Sequence, residues 1–190
     1  MKWCMLIAIM LFTSSVSYAQ KKDYTVHNIE VIGGIGWTKA DYIQSDIFTG
    51  AASYAYSFNK YFGVGAGLSY DATDLIVNYG WDGVPAEESK CNMFSLYGTI
   101  RGYLPTYSKY ISFIGVVDVG AANLNLAETT IYKFPSWAFM CSPQLGIRIK
   151  IMKERSLALN ARLYYRHYCF NDNFNSKNFG VKGILFGISF

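Results

Sequence analysis

The chain contains little of what small domains use for chemistry or for covalent scaffolding. It has four cysteines, two histidines, no Cys-x-x-Cys pair and no metal-ligand spacing. Three of the cysteines, Cys91, Cys141 and Cys169, follow the amino-terminal segment, and an odd number of thiols cannot form a complete disulfide framework. We therefore expect no metal, no cofactor and free thiols, with a Cys91–Cys169 disulfide as the alternative.

Long apolar runs and an excess of one charge are lacking as well. After residue 19 no apolar stretch reaches the about 18 residues of a membrane-spanning helix, which excludes helical spans. The net charge of the whole chain is only +4, too small to indicate a nucleic-acid partner. Aromatic residues, by contrast, make up 17% of the chain, with 16 tyrosines. Because tyrosine is enriched where lipid meets water, this composition favours a membrane protein built from strands.

The first nineteen residues have the pattern of a secretory signal peptide. Lys2 gives a basic start, residues 3–12 are apolar, and Ser17-Tyr18-Ala19 has the small-x-small pattern that signal peptidase recognises. The run is too short to span a membrane as a helix. We therefore predict a signal peptide at residues 1–19 and a single mature domain at residues 20–190.

The carboxy terminus alternates between large apolar and small residues. One face of this segment carries, counting back by twos, Phe190, Ile188, Phe186 and Ile184. A strand with one continuously apolar face that ends on an exposed aromatic residue is typical of a transmembrane β-barrel. We expect this strand to close the barrel against residues 27–37. We also expect the small inner residues Gly183 and Gly187 to leave room for the arginines of the preceding strand.

Eight segments with strand-like alternation predict an all-β, eight-stranded antiparallel up-and-down transmembrane barrel. The predicted strands are residues 27–37, 47–58, 61–72, 91–103, 110–121, 137–150, 156–168 and 179–190. Short turns alternate with long connections, as in barrels whose turns lie in the periplasm and whose loops lie outside. The turns are 59–60, 104–109 and 151–155, and the loops are 38–46, 73–90, 122–136 and 169–178.

The charged residues in the middle of the strands fall on the inner face. They are Glu30, Asp71, Arg101, Asp118, Arg148, Arg162 and Arg166. Since side chains just fill an eight-stranded barrel, these charges must pair. We expect Asp71 and Asp118 to pair with Arg166. We expect Glu30 to pair with Arg148 or Arg162, in a network that fills the interior.

Pro143 is the one residue that conflicts with the strand pattern. Proline cannot donate to the ladder, and a closed barrel has no edge strand on which to place it. The alternation places Trp137 and Phe139 on the outer face. We also expect a β-bulge at residues 141–143, the one feature that could change the faces of residues 137–141.

These features together resemble the outer-membrane protein β-barrel family, which includes outer membrane protein X and the transmembrane domain of outer membrane protein A. The resemblance covers residues 26–190. It rests on the Ala19-Gln20 junction, the Gly-x-Gly repeats of the first and third strands, the eight long strands and the apolar ending. It implies the cell outer membrane, periplasmic chaperones, and insertion by the barrel-assembly machinery. The assembly signal would be Phe190, Ile188 and Phe186.

The resemblance implies no reaction. We expect a monomer surrounded by outer-membrane lipid, with a structural or surface-interaction role toward a protein or glycan partner. The four loops would make the contact, and 73–90 is the strongest candidate. The alternatives are a narrow ion channel, a lipid A-modifying enzyme and a soluble secreted ligand-binding barrel. The inward arginines speak against the soluble barrel.

His167 is the residue on which an enzymatic hypothesis would rest. Outer-membrane lipid A deacylases are barrels of similar size with a histidine two residues before a nucleophilic serine. Here the matching position is Cys169, and no carboxylate is evident nearby to orient the histidine. We therefore expect no catalytic residues, and a histidine that belongs to an aromatic belt.

Overall fold

The structure, a computed structural model, is a closed barrel of eight antiparallel strands in which each strand pairs with the next and the last pairs with the first. It describes residues 26–40, 43–77, 87–108, 110–126, 137–151, 157–170 and 179–190. The strands are β1 (Val26–Ala40), β2 (Ile43–Ser57), β3 (Phe62–Val77), β4 (Glu87–Pro105), β5 (Ile111–Leu126), β6 (Trp137–Lys150), β7 (Ala158–Phe170) and β8 (Phe179–Ser189). The predicted fold is confirmed. The predicted signal peptide lies outside the described residues.

The described part of the chain contains no helix of the length and apolar character that a membrane crossing requires.

Three connections, at residues 58–61, 106–110 and 151–157, lie at one end of the barrel, which we name the turn end. The other connections lie at the opposite end, named the loop end. The first turn is closed by a hydrogen bond from the Phe58 amide to the Phe62 carbonyl oxygen, 3.0 Å long. The three predicted short turns fall at the turn end. The first and third are slightly longer than the sequence pattern indicated, and the second is one residue shorter.

The predicted loop 38–46 is largely wrong, because β1 and β2 continue to Ala40 and from Ile43. The ladder runs through Thr38–Ser45 and Lys39–Gln44. Residues 73–77, 87–90, 122–126 and 169–170 are likewise parts of strands. These segments are rich in polar residues. Apolar alternation stops where a strand leaves the lipid, whereas backbone pairing continues, so the pattern underestimated strand length.

The barrel closes by pairing of β1 with β8, from Trp37–Lys182 to Glu30–Ser189. Beyond this register, Ile29 and Phe190 exchange two backbone hydrogen bonds of 3.0 and 2.8 Å. The predicted closing strand is confirmed. Closure leaves no free sheet edge in this part of the barrel.

The outer face of the barrel is apolar and exposed. Leu96 is 64% exposed and Leu145 is 73% exposed, and comparable outward residues occur on all eight strands. Exposed apolar area on this scale requires a hydrocarbon environment. Aromatic residues border this belt toward the loop end: Trp37, Phe48, Tyr70, Phe94, Trp137 and Tyr165. Beyond them the outward residues Asp46, Asn92 and Asn125 are polar, which marks the membrane boundary.

The expected bulge at Pro143 is wrong. Residues 137–145 alternate without interruption between exposed and less exposed positions, and Trp137 keeps the outer face. Pro143 pairs with Val117 of β5 in an unbroken register. On the β7 side, Cys141–His167 and Gln144–Tyr164 follow the same register, and only the pairs between them are missing. The strand therefore omits the ladder bonds that proline cannot make and keeps its alignment.

The inner glycines of β8 make room for different neighbours than expected. A Cβ at Gly183 would lie 2.2 Å from the Ile35 carbonyl oxygen and 2.7 Å from the Tyr164 ring. A Cβ at Gly187 would lie 2.6 Å from the Val31 carbonyl oxygen and 2.9 Å from the Ile32 side chain. The absence of side chains at these glycines lets the β1 backbone and the Tyr164 ring pack closely against β8. The expectation that they make room for arginines is wrong.

Candidate functional site

The barrel interior is the only place where charged side chains gather away from water among the described residues. The structure places all seven sequence-predicted charged residues on the inner face, six of them buried and Arg148 half-buried. Alternation of the strands puts them there, because each occupies an inward position of its strand. A buried charge must be paired or hydrogen-bonded, so the contacts determine what this interior can do.

Glu30 of β1 is the centre of the first cluster of contacts. Its Oε2 atom lies 3.1 Å from Arg101 Nη2, and its Oε1 atom forms an ion pair with Arg162. Asn160 Nδ2 also donates to Oε1, at 2.8 Å. Glu30 and Arg101 are each only 1% exposed. One carboxylate thus holds two guanidinium groups across the lumen.

The two arginines around Glu30 are fixed by further polar side chains. Arg101 donates to Asn28 Oδ1 at 2.9 Å and to Ser53 Oγ at 2.6 Å. Arg162 donates to Gln144 Oε1 at 3.1 Å. Such a network ties β1, β2, β4, β6 and β7 together through the interior, so these strands cannot separate without breaking charged contacts.

Asp71 of β3 is the centre of the second cluster. Its Oδ2 atom accepts hydrogen bonds from Arg166 Nη1 at 2.5 Å and from the Tyr168 hydroxyl at 2.6 Å. The expected pairing of Asp118 with Arg166 is not observed. Asp118 Oδ2 instead accepts from Gln144 Nε2 at 2.5 Å. Because Gln144 also contacts Arg162, its amide group links the Asp118 carboxylate to the Glu30 cluster.

Arg148 does not take the position expected of a partner for Glu30. Its guanidinium carbon lies 5.2 Å from the centre of the Tyr103 ring, a cation–π arrangement near the turn end. The two oxygens of Glu30 are bonded to Arg101, Arg162 and Asn160. Of the two partners proposed for Glu30, the structure therefore brings Arg162 to it, together with Arg101.

Apolar side chains fill the interior on either side of the charged residues, which the sequence analysis missed. The loop-end cluster includes Ile47, Met93, Leu124, Met140 and Val181. The turn-end cluster consists of Tyr103, Ile114 and Val116. Their signal was present in the sequence, since Met93 and Val116 share inward positions with polar neighbours.

The free space among the described charged residues of the interior is very small. The void between the two charged clusters measures about 10 Å³ and is bordered by Glu30, Asp118, Arg101, Arg162 and Arg166. A volume of this size holds about one water molecule. At this level of the barrel the charged residues are thus closely packed, and the void between them has no space for a hydrated ion.

His167 has no partner of the kind that a catalytic histidine needs. Its ring stacks on Tyr165 with 6.2 Å between centroids, and its Nδ1 atom forms no hydrogen bond with a described residue. In the ladder it lies opposite Cys141 and Gly180, whereas Cys169 lies opposite Phe139. His27 lies at the turn end, where its Nδ1 atom forms a 2.5 Å hydrogen bond with the Tyr54 hydroxyl.

The three described cysteines are free thiols. Cys91 is buried on the inner face of β4, and Cys141 and Cys169 occupy outward positions of β6 and β7. A Cys91–Cys169 bridge would have to pass through the barrel wall. Among the described residues no group of three or more His, Cys, Asp and Glu side chains is placed to hold a metal ion.

No protein-family model and no curated protein matches this sequence. The structure is similar to neisserial surface protein A, with a TM-score of 0.59 and 10% identity over 86% of this chain and 95% of that chain. It is similar to the outer membrane protein OprG from Pseudomonas aeruginosa, with a TM-score of 0.52 and 11% identity over 88% of this chain and 98% of that one. It is also similar to Ail, the attachment invasion locus protein of Yersinia pestis, solved with the heparin analogue sucrose octasulfate. That match has a TM-score of 0.51 and 12% identity over 86% of this chain and 98% of that one.

Identities this low establish the fold alone. The fold is that of small outer-membrane β-barrels, as the sequence resemblance implied. Together with the exposed apolar belt, it agrees with the predicted localisation in the cell outer membrane.

Proposed function

We propose that this protein is a non-conducting outer-membrane barrel that presents its external segments to a partner protein. The observation that carries the proposal is the filled interior, with ion pairs around Glu30 and Asp71 and a remaining void of about 10 Å³. If the barrel neither passes solutes nor holds a ligand inside, its function must depend on its outer surface. The lipid belt occupies the middle of that surface, so the external segments remain.

The charge of the external segments indicates what kind of partner fits. Segments 38–46, 73–90, 122–136 and 169–178 together contain eight acidic and four basic residues, although the whole chain is basic. An acidic surface attracts a partner with a basic surface. It does not favour a polyanion such as the heparin analogue bound by Ail. We therefore infer a basic protein partner.

Segment 73–90 is the best candidate for the contact. It contains Asp82, Glu87 and Glu88, and the strands on either side of it are long. β4, from Glu87 to Pro105, has 19 residues and extends past the aromatic border at Phe94. Because β3 and β4 continue beyond the lipid, their ends at Val77 and Glu87 lie beyond the aromatic border, where a partner can reach them.

Binding of charged probes to the protein in lipid vesicles tests this proposal. We expect labelled polylysine to bind to vesicles with the protein and labelled heparin to bind no better than to empty vesicles. The triple variant Asp82→Asn, Glu87→Gln, Glu88→Gln should weaken polylysine binding on the order of tenfold, because each ion pair with the probe contributes up to about 1 kcal/mol. Raising the ionic strength to about 1 M should abolish it, since the Debye length falls to about 3 Å.

Lys90→Gln is the matched control, because it removes a charge of the opposite sign from the same segment. Polylysine should bind this variant at least as tightly as the original protein. Preferential binding of heparin, or equal polylysine binding by the original protein and the triple variant, would contradict the proposal.

A further inference from the structure

A groove of about 640 Å³ lies on the lipid-facing surface of β4, β5 and β6, close to the turn end. Its floor contains Gly102 and Gly115, which lie directly opposite each other in the β4–β5 ladder. On either side of this pair the same row continues with Phe62 and Leu145. Two adjacent missing side chains between large ones leave a depression in the apolar belt at this place.

The barrel does not need glycine at these two positions. A Cβ at Gly102 would have no neighbour nearer than the Gly115 carbonyl oxygen at 3.9 Å, and one at Gly115 none nearer than Leu145 Cδ2 at 3.7 Å. Inside the barrel the situation is the opposite, since a Cβ at Gly183 would overlap the β1 backbone at 2.2 Å. Packing within the protein therefore explains why residue 183 must be glycine. It does not explain why residues 102 and 115 are glycine.

A cation lies at the turn-end side of the groove. Tyr61 lines the groove, and Lys60 Nζ lies 4.8 Å from the centre of the Tyr61 ring. The turn is held in place, because Asn59 Oδ1 accepts a 2.8 Å hydrogen bond from the Tyr61 amide. The Tyr61 carbonyl oxygen in turn accepts one of 2.8 Å from the Tyr103 amide. The ammonium group is thus positioned where the apolar surface meets water.

The sequence of the turns adds charge of the same sign. Segments 58–61, 106–110 and 151–157 together contain four basic residues and one acidic residue. The turn end is therefore basic and the loop end acidic. In outer-membrane barrels the short turns face the periplasm, and this end lies at the surface of the inner leaflet. Basic residues at a membrane surface attract anionic lipid headgroups.

We propose that this groove binds one anionic glycerophospholipid of the inner leaflet. One acyl chain lies over Gly102 and Gly115, and the phosphate contacts the ammonium group of Lys60. The apolar groove and the adjacent cation match the two parts of such a molecule, in the orientation that the leaflet imposes. This site is separate from the external segments, so the two proposals stand or fall independently.

Native mass spectrometry of the delipidated protein in mild detergent, titrated with phosphatidylglycerol, tests the site. We expect one tightly bound lipid per chain. The double variant Gly102→Leu, Gly115→Leu should weaken that binding about tenfold, because each methylene group excluded from an apolar site is worth about 0.8 kcal/mol. Lys60→Gln should weaken it about threefold, as expected for loss of an exposed charge contact.

Gly98→Leu is the matched control. Gly98 lies on the outer face of the same strand, outside the groove, and its Cβ would also have no neighbour nearer than 3.9 Å. This variant should bind phosphatidylglycerol like the original protein. Gly115→Ala serves if the double variant fails the heat-dependent gel shift of a folded barrel, and it should weaken binding in the same direction.

Two outcomes would overturn the proposal. Equal lipid binding by the double variant and by Gly98→Leu would mean that phosphatidylglycerol binds to the barrel surface without using the groove. A dimer mass that the double variant abolishes, without a lipid adduct in the original protein, would assign the groove to a second copy of the chain.

Discussion

At the scale of single residues, Glu30 is the carboxylate of the described interior that two arginines share. Its two oxygens bind Arg101, Arg162 and Asn160. Removing one partner of a buried ion pair leaves an uncompensated charge, which typically costs about 3–5 kcal/mol. We therefore expect Glu30→Gln to lower the free energy of unfolding by about that amount, measured by urea titration in phospholipid vesicles.

Asp46→Asn is the comparison for this prediction, because Asp46 is exposed at the loop end. Its effect should stay within about 0.5 kcal/mol, as for most surface substitutions. If Glu30→Gln were no more destabilising than Asp46→Asn, the ion pairs of the interior would not hold the barrel together.

The residues of the interior could be predicted from the sequence, whereas their partners could not. Alternation assigns a residue to the inner or outer face, which is how Glu30 and Arg101 were recognised as inward. Arg101 reaches Glu30 across the lumen from β4 to β1, and these strands are not neighbours. Contacts of that kind depend on the stagger of the closed barrel and on side-chain length, neither of which a one-dimensional pattern contains.

At the scale of strands, Pro143 shows how a barrel tolerates a residue that cannot donate. The register of β6 is continuous on the β5 side and resumes unchanged on the β7 side. We expect Pro143→Val to keep this register and to add one ladder hydrogen bond, which raises the free energy of unfolding by about 1 kcal/mol. Amide hydrogen exchange should show the new residue 143 amide as protected.

A register shift in the Pro143→Val variant would contradict this account. A shift by one residue would move the Trp137 side chain from the lipid-facing surface to the interior. Quenchers attached to lipid would then quench its fluorescence less. The original protein supplies the reference, with Trp137 61% exposed on the outer face.

The strand cores were predictable and the strand ends were not. Hydrophobic alternation identified eight segments in the correct order, because the lipid belt imposes it on every strand. Beyond the belt the same strands continue with residues such as Lys39, Gln44 and Ser45. Backbone pairing and side-chain hydrogen bonds, such as that between Ser45 and Thr73, hold those parts, and a hydrophobic pattern cannot detect them.

At the scale of the whole molecule, the inside and outside of this protein are reversed relative to a soluble barrel. Charges are buried within, as at Arg101 and Arg162, and large apolar residues such as Leu145 are exposed. The lipid stabilises the outer surface, and the ion pairs occupy the lumen. A barrel arranged in this way has a defined position in a membrane, and the proposed function requires that its interior be closed.

Single-channel recording in planar lipid bilayers tests that closed interior most directly. Insertion of the folded protein should produce no current steps above the baseline of the bare bilayer, because the void between the charged clusters is about 10 Å³. Arg162→Ala should also be silent, since Arg101 still pairs with Glu30. Regular current steps from the original protein, altered in size by Arg162→Ala, would contradict the account and identify the interior as an ion path.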